Sequence, residues 1–532
     1  MLSDIFKSFI EASPLSVMMR GLVERLLNPE QIDRWFKQVA EEQYTRNLLF
    51  STVVSVMLEV VCGSRKSVGA AYQAMEEAIP VSIQAMYDKL QGVEPAVAAE
   101  LVRYTVREGQ AIMAAIEAIP PGMPSPEVQP VAPAPGEPKR GGEAVKRLGG
   151  AEPAALQPNQ LVQAVRAALA APVGALPAVA QADPVRDGAA ASAAVKGVRL
   201  AVLPGYVVRI VDGNHLAATE HRLKELRGYG GGALPGQALV VYDPDLDLAI
   251  NVVPCENGHT QERALLSLLE ESLADGEVWV MDRNFCVLHW LHRIAAQPAY
   301  FVVREHEQTP FKPLAPMQEQ GATETGLVAE QPIQVLGPDG QAVVWRRIRV
   351  LLHKPTRDGD EQVYIWTHLP AAVTAETVAR LYLKRWRIET AFQHLAQDLN
   401  TEIKTLGYPR AALFGFCIGV VAYNILAVLK AALRHVHGAT VIDTQLSGYY
   451  VADEVSGTYR GMMIAIPPPQ WQVFRQLSVT DLAAVLIDLA GKVCLARFRK
   501  HPRGPKQPRP PRQYDPKHPH QATAKLLAAR RA

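Results

Sequence analysis

The stretch Tyr206–His215, YVVRIVDGNH, decides how the surrounding chain folds. Its apolar residues are spaced as in a buried β-strand. We expect that strand to end at Asp212, where Gly213 begins a turn. A carboxylate at the end of a buried strand is costly unless a partner offsets its charge. A bound metal cation is one candidate partner for Asp212, so other ligands should exist elsewhere in the chain.

The residues from Tyr206 onward predict a mixed α/β sheet. Strand-like runs (YVVRIVDG, the hairpin ALVVYDPDLDLAINVV, GEVWVMDRNF, AYFVVRE) alternate with two helical segments, TQERALLSLLEESLA and VLHWLHRIAA. Three further strand-like runs predict an all-β insertion at about residues 305–371. After it, TAETVARLYLKRWRIETAFQHLAQDL predicts one long helix. This α/β core is therefore expected to span residues 197–435.

Four other regions flank this core. Residues 1–118 predict a helical N-terminal domain, in which Ser82 caps a helix. That helix belongs either to a DNA-binding helix-turn-helix or to an ordinary helical hairpin. Residues 119–196 predict a disordered Pro/Ala-rich linker, because thirteen prolines lie between Pro120 and Pro184 and such a segment buries little apolar surface. Residues 436–496 predict a helical C-terminal region. If the helix capped by Ser82 belongs to a helix-turn-helix, the residues that face DNA are Gln84, Tyr87, Asp88 and Lys89.

The charge of the 532-residue chain is unevenly distributed. The net charge is only +2. The tail, residues 497–532, holds eleven Lys and Arg residues and one acid, a local charge of +10 (11 − 1), so the remainder sums to −8. A basic tail on a mildly acidic body indicates contact with a polyanion, although a merely solvated tail has the same composition.

The five cysteines include no CxxC pair, which favours reduced thiols in a cytoplasm over a zinc site or disulfides.

One apolar stretch imitates a membrane span. Ala411–Leu429 has nineteen residues without a charge, which just reaches the length needed to cross a bilayer. It contains Asn424 and several small residues, and it is the only such stretch in the sequence. We therefore expect a buried central helix and no membrane partner.

A second aspartate occupies the same kind of position as Asp212. The apolar run GEVWVM is followed by Asp282, and then by Arg283 and Asn284. Neighbouring strands of one sheet place such residues side by side. Two carboxylates at close range must bind a proton or share a cation, and Mg²⁺ prefers oxygen ligands.

The predicted long helix adds a third carboxylate. Tyr382, Arg385 and Glu389 fall within about 60° on one helix face. Leu383, Trp386 and Phe392 are expected to pack this helix on the sheet. An ordinary Arg–Glu helix pair has the same spacing and contributes only a few tenths of a kcal/mol.

The three blocks IVDGNH, VMDRNF and YLKRWRIETAF resemble the catalytic blocks of DDE transposases of the insertion-sequence-four family. Tyr382, Arg385 and Glu389 match the first three positions of that family's Tyr-x2-Arg-x3-Glu-x6-Lys pattern. The fourth position is Ala396 instead of Lys, which leaves open what contacts the DNA backbone there. Gln393 and the nearby Gln397 could substitute in part. The resemblance covers roughly residues 1–118 and 197–525, and the linker is foreign to it.

The resemblance implies a ribonuclease H-like catalytic core and a Mg²⁺-dependent enzyme. Asp212, Asp282 and Glu389 would be catalytic and would hold two Mg²⁺ ions, with Mn²⁺ as a substitute. The reaction would be cleavage at transposon ends followed by strand transfer into target DNA. The implied partners are double-stranded DNA, at inverted-repeat ends and target, and a second copy of the chain. The implied location is the bacterial cytoplasm, at the nucleoid when DNA is bound. The expected DNA contacts are Tyr382, Arg385, Arg283, Gln393, Trp345 and Trp366.

Several alternatives stay open at this point. Trp345 and Trp366 lie in the β insertion, where an indole either stacks on a displaced base or packs in the core. For the whole protein, one alternative is a ribonuclease H-like nuclease that cuts without joining. A second is a non-catalytic DNA-binding descendant of a transposase, and a third is a membrane protein based on Ala411–Leu429.

Overall fold

One large mixed sheet organises the protein. The computed structural model describes residues 2–42, 47–120, 201–220, 223–228, 231–356, 359–501 and 521–531. Ten strands form the sheet in the order β4-β3-β1-β5-β6-β11-β10-β9-β7, with β8 paired to β9. The strands are β1 Val207–His215, β2 Ala233–Leu234, β3 Gln237–Asp243, β4 Leu248–Cys255, β5 Glu277–Met281, β6 Tyr300–Arg304, β7 Lys312–Pro313, β8 Gln318–Ala322, β9 Gly326–Leu336, β10 Ala342–Leu352, β11 Gln362–Thr367 and β12 Gln521–Ala522. β2 and β12 form a separate two-stranded sheet.

The helices surround this sheet and build most of the two chain ends. Within the described residues, seven precede it, and the others follow β5 at intervals. They are α1 Lys7–Ala12, α2 Pro14–Leu26, α3 Pro29–Val39, α4 Phe50–Val61, α5 Val68–Met75, α6 Ile83–Gly92, α7 Pro95–Ala118, α8 Leu288–Ala295, α9 Ala375–Leu383, α10 Trp386–Gln397, α11 Pro409–His437, α12 Ala439–Gln445, α13 Gly448–Ala465, α14 Pro468–Trp471, α15 Val473–Gln476, α16 Val479–Gly491 and α17 Thr523–Arg531. The mixed α/β class predicted from the sequence is confirmed.

Both faces of the central strands are covered, which explains their almost continuous apolar sequences. Residues at alternate positions belong to two cores. Val208 and Ile210 of β1 point into the larger core, which includes α7 and α11. Val211 of the same strand points into the smaller one with Trp279 of β5. The smaller core also contains α8 and a 3₁₀ helix at Glu262–Ser272.

The strand directions place the chain segments that follow Val211 and Met281 next to each other. β1 and β3 are antiparallel, as are β3 and β4. β1 and β5 are parallel, and their last paired residues are Val211 and Met281. We expected β1 to end at Asp212. It continues to His215, because Asp212–His215 still pair with β3 after the pairing with β5 has ended.

The region predicted as an all-β insertion, about residues 305–371, contains β7 to β11. These strands join the central sheet rather than standing apart from it, because β11 pairs with β6 in antiparallel fashion. β9 and β10 pair along eleven positions. The sheet thus extends well beyond the strands that carry Asp212 and Asp282.

α11 is the apolar helix that resembled a membrane span. Among the described helices it is the one long and apolar enough to cross a bilayer, and 94% of its most apolar window is buried inside the protein. Its polar residue, Asn424, connects it to the sheet. The Asn424 side chain accepts a hydrogen bond from the Ala249 backbone N–H at 2.9 Å and donates one to the Ala249 carbonyl at 2.9 Å. The helix is thereby fixed to β4, as a core helix would be.

Two helix predictions need correction. The single helix predicted across residues 374–399 is two helices, because the chain tightens at Lys384 and Arg385. There the backbone N–H groups bond to the carbonyls three residues earlier. The segment TQERALLSLLEESLA, predicted to be helical, forms the 3₁₀ helix Glu262–Ser272, with Gln261 at its N-cap position.

Other predictions concern the flanking regions. Ser82 does cap α6 by accepting a hydrogen bond from the Ala85 N–H. Of the four residues named for DNA contact, Gln84 and Asp88 are exposed and hydrogen-bond to each other at 2.8 Å. The Lys89 ammonium lies over the Phe36 ring. The Pro/Ala linker, residues 119–196, lies outside the described residues apart from its first two positions. Most of the basic tail, residues 502–520, lies outside them as well.

Candidate active site

Asp212 and Asp282 lie at adjacent positions of the parallel pair β1 and β5. Each directly follows the last residue pair of that ladder, Val211 and Met281. Backbones of neighbouring strands are about 4.8 Å apart, so the two carboxylates start from neighbouring positions. The Asp212 Oδ1 atom accepts from the Gly213 N–H at 3.0 Å. The Asp282 Oδ1 atom accepts from the Asn284 N–H at 2.6 Å and caps a 3₁₀ turn.

Arg385 connects Asp212 to Glu389. Its Nη1 donates to Asp212 Oδ2 at 2.9 Å, and its Nη2 donates to Glu389 Oε1 at 2.7 Å. The guanidinium is only 11% exposed, and Glu389 is 39% exposed. The structure therefore brings Asp212, Asp282, Arg385 and Glu389 into one site.

Burial controls the protonation of Asp212. It raises the pKa of Asp212 to about 7, against the attraction of the Arg385 charge. Repulsion from Asp282, and to a smaller extent from Glu262, adds to the rise. A carboxylate in this environment gains from any cation that approaches it.

Tyr382 is the remaining member of the predicted helix face. It lies at the end of α9, is 8% exposed, and has Arg385 as a neighbour. Burial raises the pKa of the Tyr382 phenol above its usual value, and the positive charge of Arg385 opposes that rise. Tyr382, Arg385 and Glu389 keep their common orientation although the helix breaks between them.

The donor set fits a divalent cation at Asp212 and Asp282. Both are carboxylates, the ligand type that Mg²⁺ prefers, and repulsion from Asp282 adds to the rise in the pKa of Asp212 that burial causes. Within the described ranges, no group of three His, Cys, Asp or Glu side chains is close enough to hold one metal ion. The Arg385 guanidinium stands between Asp212 and Glu389, which accounts for the separation. Its Nε atom is buried and has no hydrogen-bond partner among the described residues.

The other residues predicted to contact DNA divide into exposed and buried ones. Arg283 and Gln393 are exposed. Trp345 is 3% exposed and Trp366 is fully buried. The Trp366 indole donates to Glu305 at 2.7 Å. Neither indole has a free face for a base, so the structure contradicts the stacking role and supports the core role that the sequence left open.

Sequence reasoning misplaced Trp386 and missed Glu262. Trp386 was expected to pack α10 on the sheet, but it is 62% exposed, and its neighbour Leu383 is 38% exposed. Phe392 does pack against the larger core. The Glu262 carboxylate accepts from the Asn284 side-chain amide at 2.9 Å, beside Asp282. The signal that could have revealed it is Gly213, a glycine inside a strand, which often marks a close approach.

Comparison with known protein families agrees with this geometry. Residues 203–425 match the family model of the transposase DDE domain. The match runs from just before β1 into α11, and so contains Asp212, Asp282, Arg385 and Glu389. No curated protein gives a match to this chain. Residues 203–425 are thus similar to the DDE domain of transposases, which are enzymes that act on DNA.

Proposed function

We propose that this protein is a transposase of the insertion-sequence-four type with a ribonuclease H-like core. It would cleave DNA at transposon ends and join the freed 3′ ends to target DNA. The observation that carries the proposal is the meeting of Asp212, Asp282 and Glu389 around Arg385. The match to the transposase DDE domain supports it.

The chain's own residues have distinct roles in this reaction. Arg385 would orient a DNA phosphate, because its guanidinium lies between Asp212 and Glu389 and a guanidinium binds phosphate oxygens in a fixed geometry. Tyr382 would fix the position of Arg385. In cleavage, a water oxygen attacks the phosphorus and the DNA 3′ oxygen leaves with a proton. In joining, that 3′ hydroxyl attacks a target phosphodiester and displaces another 3′ oxygen.

Asp212, Asp282 and Glu389 would hold two Mg²⁺ ions, or Mn²⁺ in their place. Bound there, the ions would activate the attacking oxygen and stabilise the charge on the leaving oxygen. The carboxylates would be kept in place by Gly213, Asn284 and Arg385, which donate to them in the structure.

Exposed residues next to the carboxylates suit a duplex. Arg283 directly follows Asp282, Gln393 lies one helical turn after Glu389, and the exposed Trp386 directly follows Arg385. The basic tail would hold further DNA phosphates. A homodimer that pairs two transposon ends, with contacts from residues 436–496, completes the proposal. We place the protein in the bacterial cytoplasm, where it meets the nucleoid.

A cleavage and joining assay tests this function. Full-length protein is incubated with Mg²⁺, a labelled duplex that carries flanking inverted repeats, and a target plasmid. We expect nicked ends and joined products, and we expect Asp212→Asn to bind the duplex without cutting it. Nicks without joining would identify a nuclease instead. Equal behaviour of the variant and the unmodified protein in cleavage would refute the assignment of Asp212, and binding without cleavage by both would indicate the non-catalytic descendant.

A further inference from the structure

The 3₁₀ helix at Glu262–Ser272 delivers a further carboxylate to the site. Glu262 is its first residue. The Glu262 Oε2 atom accepts from Asn284 Nδ2 at 2.9 Å, and Oε1 lies 3.6 Å from His215 Nδ1. Asn284 follows Asp282 by two residues, and His215 follows Asp212 by three. Glu262 therefore touches both chain segments that carry the strand-end aspartates.

Gly213 makes room for this carboxylate. A Cβ atom at position 213 would lie 2.1 Å from Glu262 Oε1 and 2.3 Å from its Cδ. These distances are far below any van der Waals contact. The backbone of Gly213 does not have the positive φ that favours glycine elsewhere. The glycine is needed here because a side chain packs directly on the strand.

The local charges do not explain why an acid occupies this position. Its polar neighbours are a neutral amide, Asn284, and the half-exposed His215 at a distance longer than a hydrogen bond. Both Nη atoms of Arg385 already bind Asp212 and Glu389. Glu262 thus adds negative charge beside two aspartates without its own cation in the described surroundings. Such an arrangement is unfavourable unless a cation joins it.

We propose that Glu262 is a fourth acidic residue of the catalytic site and contributes its charge to divalent-cation binding at Asp212 and Asp282. The inference rests on the proposed transposase function. It assigns Gly213 the role of admitting the Glu262 carboxylate. The effect is electrostatic and positional, since Glu262 reaches the aspartates through Asn284 and the backbone of β1.

The first test is Mn²⁺ binding to the full-length protein, measured by electron paramagnetic resonance without DNA. Glu262→Gln removes the charge, but its amide oxygen can still accept from Asn284. We expect the dissociation constant for Mn²⁺ to rise about tenfold or more, as for other residues that support metal ligands. Glu271→Gln, on the same 3₁₀ helix but at its exposed far end, is the matched control and should bind Mn²⁺ like the unmodified protein.

A second variant checks the role of Gly213. Gly213→Ala should displace Glu262 and weaken Mn²⁺ binding, and it should have little additional effect when Glu262 is already Gln. The melting temperature of Glu262→Gln without metal should not fall below that of the unmodified protein, which separates a charge effect from a folding effect. Unchanged Mn²⁺ affinity in Glu262→Gln, with binding abolished in Asp212→Asn, would overturn the role of Glu262 alone. Mn²⁺ binding and cleavage that survive in Asp212→Asn would instead overturn the proposed function.

Discussion

Replacing Asp212 with asparagine should stabilise the metal-free protein at pH 8 while it abolishes cleavage. Burial and the neighbouring Asp282 raise the pKa of Asp212 from 3.8 to about 7. When Asp212 is ionised, a rise of about three pKa units lowers the free energy of unfolding by about 4 kcal/mol. Asparagine carries no charge, so the variant avoids this cost. The figure is an upper limit, because asparagine makes a weaker hydrogen bond to Arg385 than a carboxylate does.

The pH dependence follows from the direction of the shift. Between about pH 4 and pH 7 the folded protein keeps a proton on Asp212 that the unfolded chain releases. The stability of the unmodified protein therefore falls through this window as the pH rises, and the cost of Asp212 is complete above about pH 7. The difference between the variant and the unmodified protein should be small near pH 4 and largest near pH 8.

Thermal unfolding at pH 4 to 8, with and without Mg²⁺, measures this effect. At pH 8 without metal, Asp212→Asn should melt a few degrees above the unmodified protein. Mg²⁺ should raise the melting temperature of the unmodified protein only. Glu389→Gln serves as the control, because Glu389 is 39% exposed and its removal should bring no comparable gain. A variant that melts below the unmodified protein at pH 8 without metal would refute the reasoning.

Three further outcomes are expected. Asp247→Ala should lower the free energy of unfolding in urea by about 3–5 kcal/mol, because Asp247 binds Arg434 at 3.1 Å and accepts from two tyrosine hydroxyls; a decrease below about 1 kcal/mol would contradict this. Trp386→Ala should weaken DNA binding in a fluorescence assay and leave the melting temperature unchanged. Trp345→Ala should lower the free energy of unfolding by about 3–5 kcal/mol, which a thermal melt would show. Replacing the basic residues between 503 and 517 with serine should make DNA binding less dependent on salt. The slope of the logarithm of the binding constant against the logarithm of salt concentration should become less steep by up to about 0.9 for each phosphate that the tail no longer neutralises. An unchanged slope would show that the tail does not contact DNA phosphates.

The positions of Asp212 and Asp282 could be predicted from the sequence because both signals are local. In each case the apolar run stops at the acid where the pairing of β1 with β5 ends, although β1 itself continues to His215 beside β3. The mixed α/β class follows from the same runs. The pairing of β1 with β5 is a contact between segments that are distant in the sequence, but the order of strands and helices along the chain favours it.

Exposure of single aromatic residues could not be predicted in this way. Trp345, Trp366 and Trp386 all occur in amphipathic segments. Burial of the first two depends on how β10 and β11 extend the sheet beside β6, which is a contact between distant segments. Trp386 is exposed because the chain tightens just before it, so its helix starts in a new orientation.

Glu262 was missed for a related reason. Its own segment reads as an ordinary amphipathic helix with an acidic first turn, and nothing in that segment points to Asp282. Long-range contacts join the two places, namely the hydrogen bond from Asn284 to Glu262 and the close approach of the Glu262 carboxylate to Gly213. A glycine between Asp212 and Asn214 is equally typical of the start of a turn, so the sequence alone does not distinguish the two roles.

The break before α10 shows that the Arg385–Glu389 pair is more than a helix-surface ion pair. Such a pair contributes only a few tenths of a kcal/mol, and it would form equally well on an unbroken helix. Here the chain gives up regular helical hydrogen bonding at Lys384 and Arg385. In return, the guanidinium is 11% exposed and reaches Asp212 on β1, 173 residues away. A local rule is violated where a long-range polar contact is formed, which is the pattern expected of functional sites.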